Sequence, residues 1–164
     1  MNTSYHKKNL INKNIVPVDV AFIIKRLEKA GFSAFLVGGC VRDLLIKKAV
    51  RDWDIITDAA PGQIKKVFYA YKTILIGKSS LTVTIVLNCK TYQISSLRNN
   101  NGQCLSSKNG KNYQNLKADL ISRDFTIDSI CWSQNTGIID PSEGLKDLSQ
   151  KIIRSIDPDL RFKD

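Results

Sequence analysis

An apolar run, Ala34 to Val37, breaks at two adjacent glycines, Gly38-Gly39, and a charged, helix-patterned segment with Arg42 and Asp43 follows at once. Beyond it, Asp52 and Asp54 stand two residues apart in a second apolar run. This succession restricts the fold more than any other stretch of the chain. Side chains alternate across a strand, so carboxylates at i and i+2 share one face. Side by side they repel unless a cation lies between them. A glycine turn at a helix start lets backbone N–H groups meet anions. Strand, glycine turn, short helix and strand therefore bring an anion cradle and an acidic pair to one edge of one sheet. That edge suits magnesium and a triphosphate.

The remaining pattern predicts a mixed α/β domain. Pro17 and Asp19 can open a helix in which Val20, Ile23, Ile24 and Leu27 follow helical spacing. Strands are expected over Phe32–Val37 and Asp52–Thr57, with a short helix over Gly39–Lys47 between them and another from Pro61. Leu81–Leu87 and Thr91–Leu97 are rich in β-branched residues and read as a hairpin about Asn88-Cys89-Lys90. A short strand within Tyr71–Ile76 and a mobile polar loop over Asn99–Gln114 are expected. Leu116–Ile130 reads as mostly helical. A strand over Gly137–Asp140, a short helix over Leu145–Leu148 and a strand over Ile152–Ser155 follow. The sum is a small mixed sheet with helices on one side.

At 164 residues the chain has room for one domain with a real core. Lys and Arg outnumber Asp and Glu by 25 to 15, and a net charge of +10 favours a polyanionic partner, nucleic acid above all. No apolar run approaches the ~18 residues of a membrane span, and the polar start lacks the apolar core of a secretory signal. A cytoplasmic protein is expected. Cys40, Cys89, Cys104 and Cys131 are scattered, and His6 is the one histidine, which argues against zinc. Cys40 and Cys131 read as buried packing residues. Each motif alone has a plain alternative. Asp52 and Asp54 can be two solvated carboxylates, Arg42-Asp43 a surface ion pair, and Ser122–Asp128 a helix with Arg123-Asp124 exposed.

Taken together, GGCVRDLL, RDWDIITDAAP, SRDFTID and IIDPSEGLKDL resemble the head of the class II tRNA nucleotidyltransferase and bacterial poly(A) polymerase family, in the polymerase β-like superfamily. The family pattern, Gly-Gly-x-Val-Arg-Asp and then Asp-x-Asp, is met at Gly38, Gly39, Val41, Arg42, Asp43, Asp52 and Asp54. The resemblance implies a nucleotidyltransferase that moves CMP or AMP from CTP or ATP to an RNA 3′-hydroxyl, the tRNA CCA end first, and releases pyrophosphate. It implies that Asp52 and Asp54 hold Mg2+ and are the catalytic pair. Gly38, Gly39, Arg42, Arg123 and Asp124 would contact the nucleotide.

Several residues depart from the family. Gln93 stands where a Glu is usual, Ser122 replaces an arginine, Asp128 replaces an asparagine, and Ser80-Leu81 replaces His-Gly. Thr82-Val83-Thr84 follows the tRNA type, whereas Lys13 to Gly39 resembles poly(A) polymerases. Expected boundaries are a flexible basic arm over 1–16, the head over 17–157 and the start of a truncated helical neck over 158–164. Missing neck and body domains, or a partner subunit, would complete the protein. Poly(A) addition, or a catalytically silent RNA- or nucleotide-binding module, are the alternative functions.

Overall fold

The structure, a computed structural model, describes residues 10–75, 80–99, 101–106 and 113–157. Helical spacing of apolar residues produces α1 (Val18–Lys29), which buries Val20, Ile23 and Leu27. Ahead of it, Lys13–Ile15 form a 3-10 turn and Ile11 is buried in the main core. Residues 1–9 of the expected arm, and the expected neck over 158–164, lie outside the described residues.

The strands are β1 (Ala34–Val37), β2 (Asp54–Thr57), β3 (Thr73–Leu75), β4 (Thr82–Leu87), β5 (Lys90–Ser96), β6 (Cys131–Ser133) and β7 (Gly137–Ile139). They form one seven-stranded sheet in the order β3-β4-β5-β2-β1-β6-β7. Only the β2–β5 pair is parallel, so the sheet is mixed, as expected. The helices α2 (Gly39–Leu45), α3 (Pro61–Val67), α4 (Tyr113–Ile121) and α5 (Gly144–Gln150) pack around it.

Strand alternation sorts side chains to two faces. Leu36, Ile55, Val83, Ile85 and Ile94 join α1, α2 and α3 in the main core. Val37, Ile56, Leu97, Cys131 and Ile139 meet Leu116 and Leu120 of α4 in a second cluster. Helices thus lie on both faces, not one. The reason is that β1 and β2 are apolar at successive positions and so bury both sides.

Several boundaries differ from expectation. β2 starts at Asp54, so Asp52 lies in its lead-in rather than on the strand. The partner strand β1 has already turned away at Gly38, and the parallel pairing with β5 begins only at Asp54 and Gln93. Leu116–Ile130 is not one helix. α4 stops at Ile121, where the Ser122 hydroxyl bonds back to the Asp119 carbonyl at 2.8 Å. A 3-10 turn, Thr126–Asp128, and β6 take up the rest. Residues 152–155 form no strand, and Ser155 makes a single bridge with Phe125. The hairpin turns on two residues, Asn88 and Cys89, both at positive φ, with Lys90 already paired to Leu87. α4 begins inside the expected polar loop, of which residues 100 and 107–112 lie outside the described residues, as does Ile76.

The C-terminal segment braces the turn after α4. A Cβ at Gly144 would collide with the Thr126 carbonyl, so only glycine lets α5 lie this close. The Thr126 hydroxyl donates to buried Asp147 at 2.7 Å, and Arg154 pairs with the same carboxylate at 2.8 Å. The Ile156 N–H donates to the Asp124 carbonyl. Cys40 and Cys131 are buried, as expected, and burial pushes the Cys40 thiol up to about 11.

Candidate active site

β1 ends in a bend that only glycine makes easily. Gly38 has φ +73° and ψ −136°, and its N–H donates to the Ile130 carbonyl at 3.1 Å. A Cβ on Gly38 would stand 3.3 Å from Nη1 of Arg123, and one on Gly39 would stand 3.5 Å from Nη2 of Arg42. The bare Gly38 position therefore leaves room for the Arg123 guanidinium, and the Arg42 guanidinium lies in ordinary contact range of Gly39.

Different carboxylates hold the two arginines. Arg42, on α2, donates through Nη1 to Asp128 at 2.8 Å and through Nε to Asp43 at 3.0 Å. Burial works against the Arg42 charge. The Asp43 hydrogen bond and the charges of Asp128 and Asp43 outweigh it and raise the pKa above its ordinary value. Arg123 reaches back one helical turn, its Nη2 at 3.3 Å from Asp119. Asp119 is buried, and its other oxygen accepts the Arg98 N–H at 3.0 Å. The Arg123 Nε is buried with no partner among the described residues.

The acidic pair lies within electrostatic reach of this bend. Asp54 is half-buried and Asp52 exposed. Burial raises the Asp54 pKa, the Arg123 charge opposes the rise, and the Asp52 charge adds to it. The two carboxylates and Arg123 thus act on one another, although Asp52 is off the strand. Asp54 pairs with Gln93 in β5, and Gln93 with Thr84 in β4, so the Gln93 side chain stands on the Asp54 face. Neither Asp52 nor Asp54 accepts a side-chain hydrogen bond among the described residues. Two mutually repelling carboxylates are hard oxygen donors, of the kind that a hard divalent cation takes. Among the described residues no group of three or more His, Cys, Asp or Glu stands close enough to hold a metal.

Of the predicted site residues, Gly38, Gly39, Arg42, Arg123, Asp52 and Asp54 converge at one end of β1 and β2. Asp124 is exposed beside Arg123, its carbonyl held by Ile156. Sequence reading missed Asp119, the carboxylate that aims Arg123. Its signal was an acid four residues before Arg123 inside the apolar stripe of Leu116 and Leu120. Asp128 was noted only as a departure, yet it is a direct partner of Arg42.

Comparison with known proteins places this geometry. The CCA-adding enzyme of Lactobacillus delbrueckii subsp. bulgaricus is 38% identical over 136 residues, covering 82% of this chain and 34% of that protein. The CCA-adding enzyme of Pediococcus pentosaceus is 37% identical over 147 residues, covering 88% of this chain and 37% of that protein. The chain therefore spans about a third of the length of these relatives. The solved Bacillus stearothermophilus CCA-adding enzyme in complex with CTP superposes with a TM-score of 0.71 at 34% identity, over 82% of this chain and 32% of that one. A tRNA nucleotidyltransferase complexed with a primer tRNA and an incoming ATP analog gives 0.66 at 26% identity, over 83% of this chain and 39% of that one. No helix among the described residues is long and apolar enough to cross a membrane. Residues 34–154, which hold both the diglycine bend and the acidic pair, match the Poly A polymerase head domain, and the chain belongs to that family.

Proposed function

We propose that this chain is the catalytic head of a CCA-adding nucleotidyltransferase, which transfers CMP or AMP from CTP or ATP to a tRNA 3′ end. The carrying observation is the convergence of two guanidinium groups and two carboxylates without side-chain hydrogen bonds on one glycine bend. The identity to CCA-adding enzymes supports the tRNA reading over poly(A) addition. Arg42 and Arg123 donate to phosphate oxygens, for which the planar guanidinium fork is suited. Gly38 and Gly39 let the triphosphate come close to the backbone, and Asp124 would meet the ribose or phosphates of the incoming nucleotide. Asp52 and Asp54 would hold Mg2+, with Gln93 paired to Asp54 on the neighbouring strand. Bound there, the metal offsets charge on the triphosphate and lowers the pKa of the attacking hydroxyl. The RNA 3′-hydroxyl gives up its proton to solvent, its oxygen attacks the α-phosphorus, and the bond to pyrophosphate breaks. For Arg42 to reach phosphate it exchanges Asp128 for the incoming anion.

The test has two arms. Equilibrium dialysis of the chain with labelled CTP and ATP should show binding that requires magnesium and disappears in Asp52→Asn/Asp54→Asn. Joined to the remaining part of the L. delbrueckii relative, the head should label tRNA lacking its CCA end in preference to a generic RNA. Absence of both nucleotide binding and label transfer would sink the reading. Preference for generic RNA would favour poly(A) addition. Magnesium-dependent binding without transfer would favour a silent nucleotide-binding module. The occupation of Arg42 by Asp128 is the observation on that side.

A further inference from the structure

α2 ends in a turn where the Lys47 N–H donates to the Leu44 carbonyl at 3.2 Å and the Lys48 N–H to the Asp43 carbonyl at 2.8 Å. In this kind of helix stop the turning residue is left-handed and is usually glycine. Here it is Lys47, at φ +58°. A side chain in that conformation is strained, and strain of this kind gathers at functional positions. The connection that follows is pinned by Val50 and Trp53, which pack on the main core. Lys47, Lys48 and Arg51 are exposed, and among the described residues none of them forms an ion pair. Asp52, the exposed acid of the candidate site, comes next. Three unneutralised cations thus border the site on an anchored loop, in a chain of net charge +10. They repel one another, and a polyanion relieves that repulsion.

We propose that Lys47, Lys48 and Arg51 form the track that holds the phosphates of the RNA strand whose 3′ end reaches Asp52. This rests on the function proposed above and adds the surface by which RNA enters. The nucleotide has its own cations in Arg42 and Arg123 at the glycine bend, so the loop is left for the strand.

The test measures binding of a tRNA transcript lacking its CCA end, across a range of salt, by the chain and by Lys47→Ser/Lys48→Ser/Arg51→Ser. Each lost phosphate contact lowers the slope of log K against log salt by roughly 0.7 to 0.9, so the triple variant should lose roughly 2 to 3. Between about 200 and about 50 mM salt the unaltered chain should gain about 20- to 40-fold more affinity than the variant. Magnesium-dependent CTP binding should not change. An unchanged RNA slope overturns the proposal. So does a parallel loss of CTP binding, because the cations would then serve the nucleotide. Lys47→Gly alone guards against misfolding. It should raise the melting temperature by removing the strained side chain and lower the RNA slope by roughly 1. A higher melting temperature with an unaltered slope also overturns the proposal. If the unaltered chain binds no CTP, the catalytic reading fails while the RNA measurement still decides on the track.

Discussion

The two ends of β2 each carry an aspartate, and the fold treats them differently. Burial raises the pKa of both Asp54 and Asp58. At Asp58 the backbone answers the charge, since the Ser33 N–H donates to it at 2.8 Å. The Ser33 hydroxyl also favours the charged form, although it stays short of hydrogen-bond geometry. At Asp54 the Arg123 charge alone works against the rise, and the neighbouring Asp52 makes matters worse. One end of the strand has a backbone donor for one carboxylate oxygen, while the second, Oδ2 of Asp58, is buried without a partner among the described residues. The other has no hydrogen-bond donor for its carboxylate among the described residues and, on the function proposed above, takes a cation. A buried carboxylate is therefore a weak pointer to function, and a desolvated carboxylate facing a second one is a stronger pointer.

The sharpest test of that contrast is loss of function. Asp52→Asn/Asp54→Asn should lower nucleotide transfer by the joined head about a hundredfold or more, and chelating magnesium should do the same to the unaltered protein. Asp58→Asn keeps an acceptor for Ser33 and should leave transfer intact in the same assay. Stability should divide the other way. Asp58→Ala strands a buried N–H and should cost about 2 kcal/mol in urea unfolding. Asp54→Ala should cost less than about 0.5 kcal/mol, having no hydrogen bond to lose. Equal costs would break the comparison. Asp128→Asn loosens a partly exposed ion pair on Arg42 and should tighten CTP binding by about two- to fivefold, read by dialysis.

The smallest effect is a shift with pH. Folded Asp54 holds its proton more tightly than the unfolded chain does. Its contribution to stability is therefore full below the ordinary carboxylate value near 3.8 and is lost as pH rises. Asp54→Asn should melt about 1–2 °C higher at pH 7, with the advantage vanishing below that value. An advantage that persists in acid would show that the charge is not its source.

Sequence reading was most successful where the signal is periodic or local. α1, the β4–β5 hairpin and the glycine bend follow from apolar spacing, β-branched runs and Gly38-Gly39. It failed where a tertiary partner decides. Ser122 through Ile130 fits a helical stripe, yet the chain leaves the helix at Ser122 because C-terminal residues 154–156 pair with 124–126. Cys131–Ser133 is buried at every position, so no alternation marks it as a strand. At the site, the acidic pair and Arg42 were proposed from type and order, and Arg123 from the family resemblance. Of the partners that aim the arginines, Asp119 left a local signal four residues before Arg123 that was missed, whereas Asp128 meets Arg42 from far along the chain and leaves no trace in local spacing.

The parallel pairing of β2 with β5 also orders events in time. The intervening chain runs through α3, β3 and β4, and Arg123 comes later still. As the protein emerges from a ribosome, the aspartates appear before the strand that flanks them and well before the guanidinium that steadies them. On the function proposed above, a half-synthesised copy lacks both the β5 flank and Arg123 and would not capture nucleotide. The candidate site is complete only once translation has passed the turn after α4.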